Sequence, residues 1–196
     1  MEKEILINNL IESGWHVEDD FIDENLCDEL ASEFKSWKAA EIGKGTRQER
    51  QVSLRSDEIS WLDLQNTTKA QEIFFKKIET LKQELNQSLF LGLKSYECHF
   101  SKYQNGGHYS KHLDQHQESK ARILSTIVYL NTPQNGGELV IYNKEKTHEI
   151  DIKIAPQKGM LVCFLSDQIY HEVLPCQDLR LSLTGWFRAS DLNNLL

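Results

Sequence analysis

A histidine and an aspartate stand two apart in the run Tyr109-Ser110-Lys111-His112-Leu113-Asp114. If this run is a strand over 109–114, alternate side chains share a face, and His112 and Asp114 can reach one metal ion. The third donor must come from elsewhere, and His171 is the candidate. Two neutral imidazoles and one carboxylate suit Fe(II) and leave coordination positions open for further ligands. Arg180 follows inside an alternating strand with Leu181, Leu183 and Gly185. An arginine facing the inside of a barrel needs an anionic partner. A dicarboxylate would satisfy its fork bidentately, and the Tyr129 hydroxyl could donate to the same carboxylate.

Each of these residues also has an ordinary explanation. A bare His-x-Asp pair is common, and Arg180 alone would be read as a surface salt bridge. His108 and His112 have a spacing that holds zinc on a helix. Gly106 and Gly107 oppose a helix there, and Tyr109 stands where a metalloprotease needs glutamate. His116 extends the series, but residues i and i+4 of a strand lie about 13 Å apart, too far to share one ion with the pair between them. His16, His99 and His148 fall outside any cluster and read as structural or solvent-facing.

The elements that must position these residues change character midway. Residues 3–12 place Ile5, Leu6, Leu10 and Ile11 near one helical face, with Gly14 as a stop and a short strand over 14–18. Asp23 reads as the N-cap of a helix over 24–39, carried by Leu26, Leu30, Phe34 and Trp37. Residues 41–57 lose this periodicity and read as a long basic loop. Asn66 or Thr67 opens a helix to about residue 88, with Ala70, Phe74, Ile78, Leu81, Leu85 and Leu89 as its stripe. From Tyr96 the period becomes two, and strands are expected near 95–103, 109–114, 122–131, 138–143, 147–154, 160–165, 169–174 and 180–188. Helices followed by short strands without intervening helices predict an α+β chain whose second half is an antiparallel barrel or double-sheet jelly roll.

With 196 residues the chain is long enough for one domain with a real core. A net charge of -8 argues against a nucleic-acid or anionic-membrane partner. No secretory signal and no membrane-spanning run are expected. Cys27, Cys98, Cys163 and Cys176 are scattered in apolar contexts, so buried free thiols in a reducing cytoplasm are expected.

Taken together, Tyr103, Tyr109-x-x-His112-x-Asp114, Arg122 with Tyr129-Leu130-Asn131, Gly136-Gly137-Glu138-Leu139, and His171 through Arg180-x-Ser-Leu-Thr-Gly-Trp-Phe-Arg188 resemble the Fe(II)- and 2-oxoglutarate-dependent dioxygenases. The similarity is to their prolyl 4-hydroxylase branch, which includes the animal oxygen-sensing enzymes and bacterial homologues. Arg55-x-Asp57-x-Ile-x-Trp61 resembles that branch's substrate loop and the strand after it. The resemblance implies N-terminal helices packed on a double-stranded β-helix (jelly-roll) core. One domain would span 1–196, with helical support and a substrate loop at 41–61 inside 1–90 and the catalytic core at 95–188.

By the same resemblance His112, Asp114 and His171 bind Fe(2+). Arg180, Tyr129, Tyr103 and Thr184 hold 2-oxoglutarate, Trp186 sits beside the metal as a catalytic residue, and Tyr109, Arg55, Asp57 and Arg122 meet the substrate. The basic loop 44–55 would close on a protein substrate. The glycine turn between Tyr103 and His112 is one residue shorter than in the animal enzymes. The implied reaction hydroxylates a prolyl residue of a protein, consuming O2 and 2-oxoglutarate and releasing succinate and CO2, with L-ascorbate as an accessory. Bacterial relatives suggest elongation factor Tu as the substrate. Hydroxylation of another residue or of a small molecule is the alternative. An AlkB-type nucleic-acid demethylase would need an asparagine and a second arginine where Ser182 and Trp186 stand. A non-catalytic jelly-roll binding module would have lost a ligand or the arginine.

Overall fold

The computed structural model describes residues 2–33, 38–40, 54–115 and 120–189. Helix α1 (Glu2–Glu12) buries Leu6 and Leu10, while Ile5 and Ile11, expected on the same face, are exposed. Gly14 ends it with φ +83°, and β1 (Trp15–Glu18) follows. Helix α2 (Glu24–Ser32) starts as expected, with the Asp23 carboxylate accepting the Leu26 amide at 2.9 Å. It ends at Ser32, with Glu33 as its C-cap, short of the predicted 39. The Glu33 carboxylate accepts the Thr68 hydroxyl and, at 2.6 Å, the Gln71 side chain at the start of the next helix. That helix N-terminus favours a carboxylate. Phe34 and Trp37 lie outside the described residues, as do 41–53 of the expected loop and His116.

Lys38–Ala39, expected to be helical, is instead a short strand, β2, pairing with β3 (Glu58–Trp61). Helix α3 (Lys69–Leu89) is capped by Thr68 and turns Ala70, Phe74, Ile78, Leu81 and Leu85 inward. The remaining strands are β4 (Ser95–Tyr103), β5 (Tyr109–His112), β6 (Arg122–Tyr129), β7 (Leu139–Tyr142), β8 (Ile150–Ile154), β9 (Leu161–Leu165), β10 (His171–Val173) and β11 (Arg180–Arg188). Every expected strand is present, most trimmed by a residue or two. The trimming of β5 matters, because Asp114 falls beyond its end.

Two antiparallel sheets result. One has the order β1-β9-β6-β11-β4-β3-β2 and the other β5-β10-β7-β8. They form the jelly-roll core of an α+β fold. The period of two assigns the faces of the larger sheet. Cys98, Phe100, Leu124, Val128, Leu161, Cys163, Leu183 and Phe187 join the stripes of the three helices in one apolar core. Tyr103, Ile127, Tyr129, Val162 and Phe164 face the smaller sheet, where Leu139, Ile141, Ile154 and Val173 complete a second core. All four cysteines are buried and free. No helix among the described residues is long and apolar enough to cross a membrane.

Candidate active site

The smaller sheet brings the two candidate histidines together through strand register: His171 on β10 is the cross-strand partner of His112 on β5. Each ring's Nδ1 lies beside a backbone carbonyl, 2.8 Å from Ser110 O for His112 and 3.1 Å from Ile169 O for His171. A carbonyl can only accept, so Nδ1 carries a proton in both rings, and Nε2 is the atom each neutral ring would offer to a metal. His112 Nε2 is 3.4 Å from Asp114 Oδ1, and His171 Nε2 is 3.6 Å from Asp114 Oδ2. Donor atoms of the three residues all lie within 4.8 Å of one another.

Protonation favours metal binding at this spot. Burial, reinforced by the neighbouring His112, pushes His171 down to about 4. Burial would raise Asp114, but the two imidazoles and the Arg122 guanidinium outweigh it and hold the carboxyl well below its usual range. A neutral imidazole and a carboxylate are the forms that coordinate a cation. The Asp114 side chain is further held by the Ser125 hydroxyl, 2.7 Å from Oδ2.

Deeper in the barrel, Arg180 opens β11 opposite Tyr103 of β4. Its guanidinium carbon is 4.9 Å from the ring centres of both Tyr103 and Tyr129. Only 1% of Arg180 is exposed. Nη1 reaches Ser182 Oγ at 3.4 Å, whereas Nε, Nη2 and the buried Tyr129 hydroxyl make no well-aligned hydrogen bond, although the hydroxyl lies near enough to the guanidinium to interact with it. Unpaired donors on a buried cation are costly, and a carboxylate ligand would meet all of them. Gly137 makes room for this arrangement. With φ +75°, a side chain there would strike Cys176 Sγ at 2.9 Å and Arg180 Cδ at 3.0 Å. The donor sets thus fit a divalent metal in one layer and a carboxylate in the next.

A third group flanks these two sets. Arg55 forms a two-pronged pair with buried Asp57, at 2.6 and 2.9 Å. Its guanidinium lies 4.6 Å from the Tyr109 ring centre, and Tyr109 stacks on His112 at 3.6 Å. Arg122 lies 3.6 Å over the Trp186 ring and donates to Glu97, which also accepts from Arg188. Thr184 Oγ1 is 3.1 Å from Ser101 Oγ, which in turn is 3.1 Å from His99 Nδ1.

The sequence-predicted residues therefore gather in three layers: Arg180, Tyr129 and Tyr103; then His112, Asp114 and His171; then Trp186 and Arg122, with Arg55, Asp57 and Tyr109 against His112. Thr184 lies on the same β11 face as Arg180 and Trp186. His108 turns to Ser56, and His148 is exposed. His99, expected to be structural or solvent-facing, is the former, buried on the inner face against Trp61 and Trp186. Sequence reasoning missed Ser125, Glu97 and Arg188. The usable signal was alternation, since each is a polar residue at an inward position of a strand.

A family model described as the 2OG-Fe(II) oxygenase superfamily matches residues 98–188. A Pseudomonas putida prolyl-4-hydroxylase is 32% identical, covering 97% of this chain and 100% of its own, with a TM-score of 0.84. A Trichoplax adhaerens prolyl hydroxylase, solved with a hypoxia inducible factor peptide, shares the fold at 22% identity and TM-score 0.81, covering 96% of this chain and 89% of its own. A collagen prolyl hydroxylase of Paramecium Bursaria Chlorella virus-1 shares it at 22% identity and TM-score 0.65, covering 92% and 98%. With its histidine–aspartate–histidine cluster beside a buried arginine, the chain belongs to the 2OG-Fe(II) oxygenase superfamily, as an enzyme of the prolyl hydroxylase type.

Proposed function

We propose that the chain hydroxylates a prolyl residue of a protein substrate, with elongation factor Tu as the first candidate, using Fe(II), 2-oxoglutarate and O2. The observation that carries the reading is the pairing of two incomplete donor sets, a triad of metal-competent side chains and a buried arginine with unsatisfied donors beside a tyrosine hydroxyl that makes no well-aligned hydrogen bond. Iron with 2-oxoglutarate supplies the oxidising power when bound, consuming O2 and yielding succinate and CO2. His112, Asp114 and His171 would hold the ion, a donor set of two imidazoles and a carboxylate that suits Fe(II). Arg180 and Tyr129 would hold the distal carboxylate of 2-oxoglutarate, with Tyr103 walling the pocket. Thr184 lines the same cavity.

Trp186 lies on the substrate side, buttressed by Arg122. Tyr109 and Arg55 would meet the substrate beside His112, with the buried Asp57 carboxylate holding the Arg55 guanidinium. No side chain is asked to act as a general base, because the residues bind, orient and exclude water. The whole chain acts as one domain, in the cytoplasm, with ascorbate as an accessory reductant.

The test is mass spectrometry of elongation factor Tu incubated with the protein, Fe(II), 2-oxoglutarate and ascorbate. A gain of one oxygen atom on a proline is expected, together with succinate. Succinate with the oxygen on another residue would replace the substrate assignment. Succinate formation that persists in Asp114→Ala would overturn the site.

A further inference from the structure

The metal-binding reading leaves one problem of placement. Asp114 lies two residues beyond His112, the last residue of β5, so strand geometry does not aim its carboxylate. Something else must hold it, and the contacts around it show what does.

Ser125 Oγ lies 2.7 Å from Asp114 Oδ2, and Ser166 Oγ lies 2.8 Å from Ser125 Oγ. Both serines are completely buried. A carboxylate only accepts, so Ser125 must spend its single hydroxyl proton on Asp114. Ser166 must then donate to Ser125, which makes the chain of bonds directional: Ser166 to Ser125 to Asp114. The same Ser166 ties the surrounding backbone together. Its amide donates to Ile123 O at 3.0 Å, and its carbonyl accepts the Gln115 amide at 3.0 Å. Gln115 in turn donates from its side chain to Arg122 O at 2.8 Å. The turn that carries Asp114 is thus fastened to β6 and to the end of β9 rather than to β5.

We propose that Ser125 and Ser166 are positioning residues that hold the Asp114 carboxylate in place as a metal ligand. The proposal rests on the reading that His112, Asp114 and His171 hold the ion. The hydrogen bond from Ser125 fixes the rotation of the carboxylate, so that Oδ1 stays 3.4 Å from His112 Nε2 and Oδ2 3.6 Å from His171 Nε2. Without it, a carboxylate carried on a turn past the strand end would be free to rotate away from the two imidazoles, at a cost to metal affinity.

The experiment loads the whole protein with Co(II), whose visible spectrum reports coordination, and titrates metal and then 2-oxoglutarate. Ser125→Ala is expected to weaken Co(II) binding by roughly 10- to 100-fold and to change the visible band, as loss of a hydrogen bond to a ligating group does elsewhere. Ser166→Ala should weaken binding less, and Ser125→Thr, which keeps the hydroxyl, should restore both affinity and spectrum. Thermal melts establish which variants are folded, and Ser166→Ala against Ser125→Thr decides the matter if Ser125→Ala is not. Unchanged affinity and spectrum in the folded alanine variants would overturn the relay while leaving the metal site intact. Wild-type protein that bound no Co(II) would overturn the metal-site reading on which the relay depends.

Discussion

The two faces of the larger sheet solve opposite problems with the same strands. Along β11, Leu181, Leu183 and Phe187 point to the helices, while Arg180, Ser182, Thr184, Trp186 and Arg188 point to the second sheet. On the helix side a buried polar group is satisfied within the protein. Tyr96 places its hydroxyl 2.8 Å from Thr126 Oγ1, in space that exists because residue 185 is glycine. On the inner side the equally buried Tyr129 hydroxyl makes no well-aligned hydrogen bond, and neither do donors of Arg180, Trp186 and Arg188. Every such orphan among the described residues belongs to the inner face. One face is complete as folded, whereas the other keeps buried polar atoms that the fold itself does not satisfy. A sheet can carry both because its period of two keeps the two sets of side chains apart.

That contrast predicts a separation of function from stability. The largest effect is on catalysis: Asp114→Ala should reduce succinate formation by roughly 10³-fold or more, equivalent to about 4 kcal/mol. Its melting temperature should fall far less than that of a core variant. On the outer face the pattern reverses. Leu183→Ala, at a fully buried position, should cost about 2–5 kcal/mol by urea unfolding. Its affinity for 2-oxoglutarate should be unchanged in the fraction that remains folded. Equal losses of stability and activity in both variants would erase the distinction between the faces.

The sequence exposed these two faces unevenly. Alternation made the β-strands legible, and residue chemistry singled out the triad, Arg180 and Tyr129. Helix α2 was overextended because Leu26, Leu30, Phe34 and Trp37 continue the helical period, and nothing local says that Glu33 docks on the start of α3. Strands β2 and β3 were too short for periodicity, and only the resemblance suggested the second. Strand alternation puts Asp114 beside His112, although it lies past the strand end and is held by Ser125. Such contacts join residues far apart in the chain, and serine is too common at buried positions for its type alone to mark them. His99 is illegible in sequence for the same reason, because its partners Ser101, Trp61 and Trp186 are specified by the β3–β4–β11 register.

Arg180 is the most costly of the inward groups, a fully buried cation with donors the fold does not satisfy. Arg180→Met should raise the stability of the ligand-free protein by about 1–4 kcal/mol, as replacing a buried charge by a packed apolar chain does. The same variant should lose the increase in melting temperature that 2-oxoglutarate gives the wild type by mass action. Arg180→Lys should bind 2-oxoglutarate more weakly than wild type, since the ammonium cannot reproduce the planar fork. A ligand-free Arg180→Met protein less stable than wild type would mean that the arginine is satisfied within the fold after all.

The smallest effect is a dependence on pH. His99 and His171 are both pushed from 6.5 to about 4, chiefly by burial, with Arg55 adding to the effect at His99 and His112 at His171. Their folded values are depressed, so between these limits the unfolded chain binds protons that the folded chain does not. Stability therefore falls as pH drops from about 6.5 towards 4, and rises again with increasing pH. Each group contributes a slope of up to about 1.4 kcal/mol per pH unit within that window. On the outer face His16 shifts in the same direction through burial, so the test must separate the faces. His99→Asn removes one inner titration and keeps a donor for Ser101. Urea unfolding of the metal-free protein at steps from pH 7 to 4.5 should then show a shallower decline than wild type. An unchanged decline would mean that the acid sensitivity resides elsewhere than in the inner-face His99.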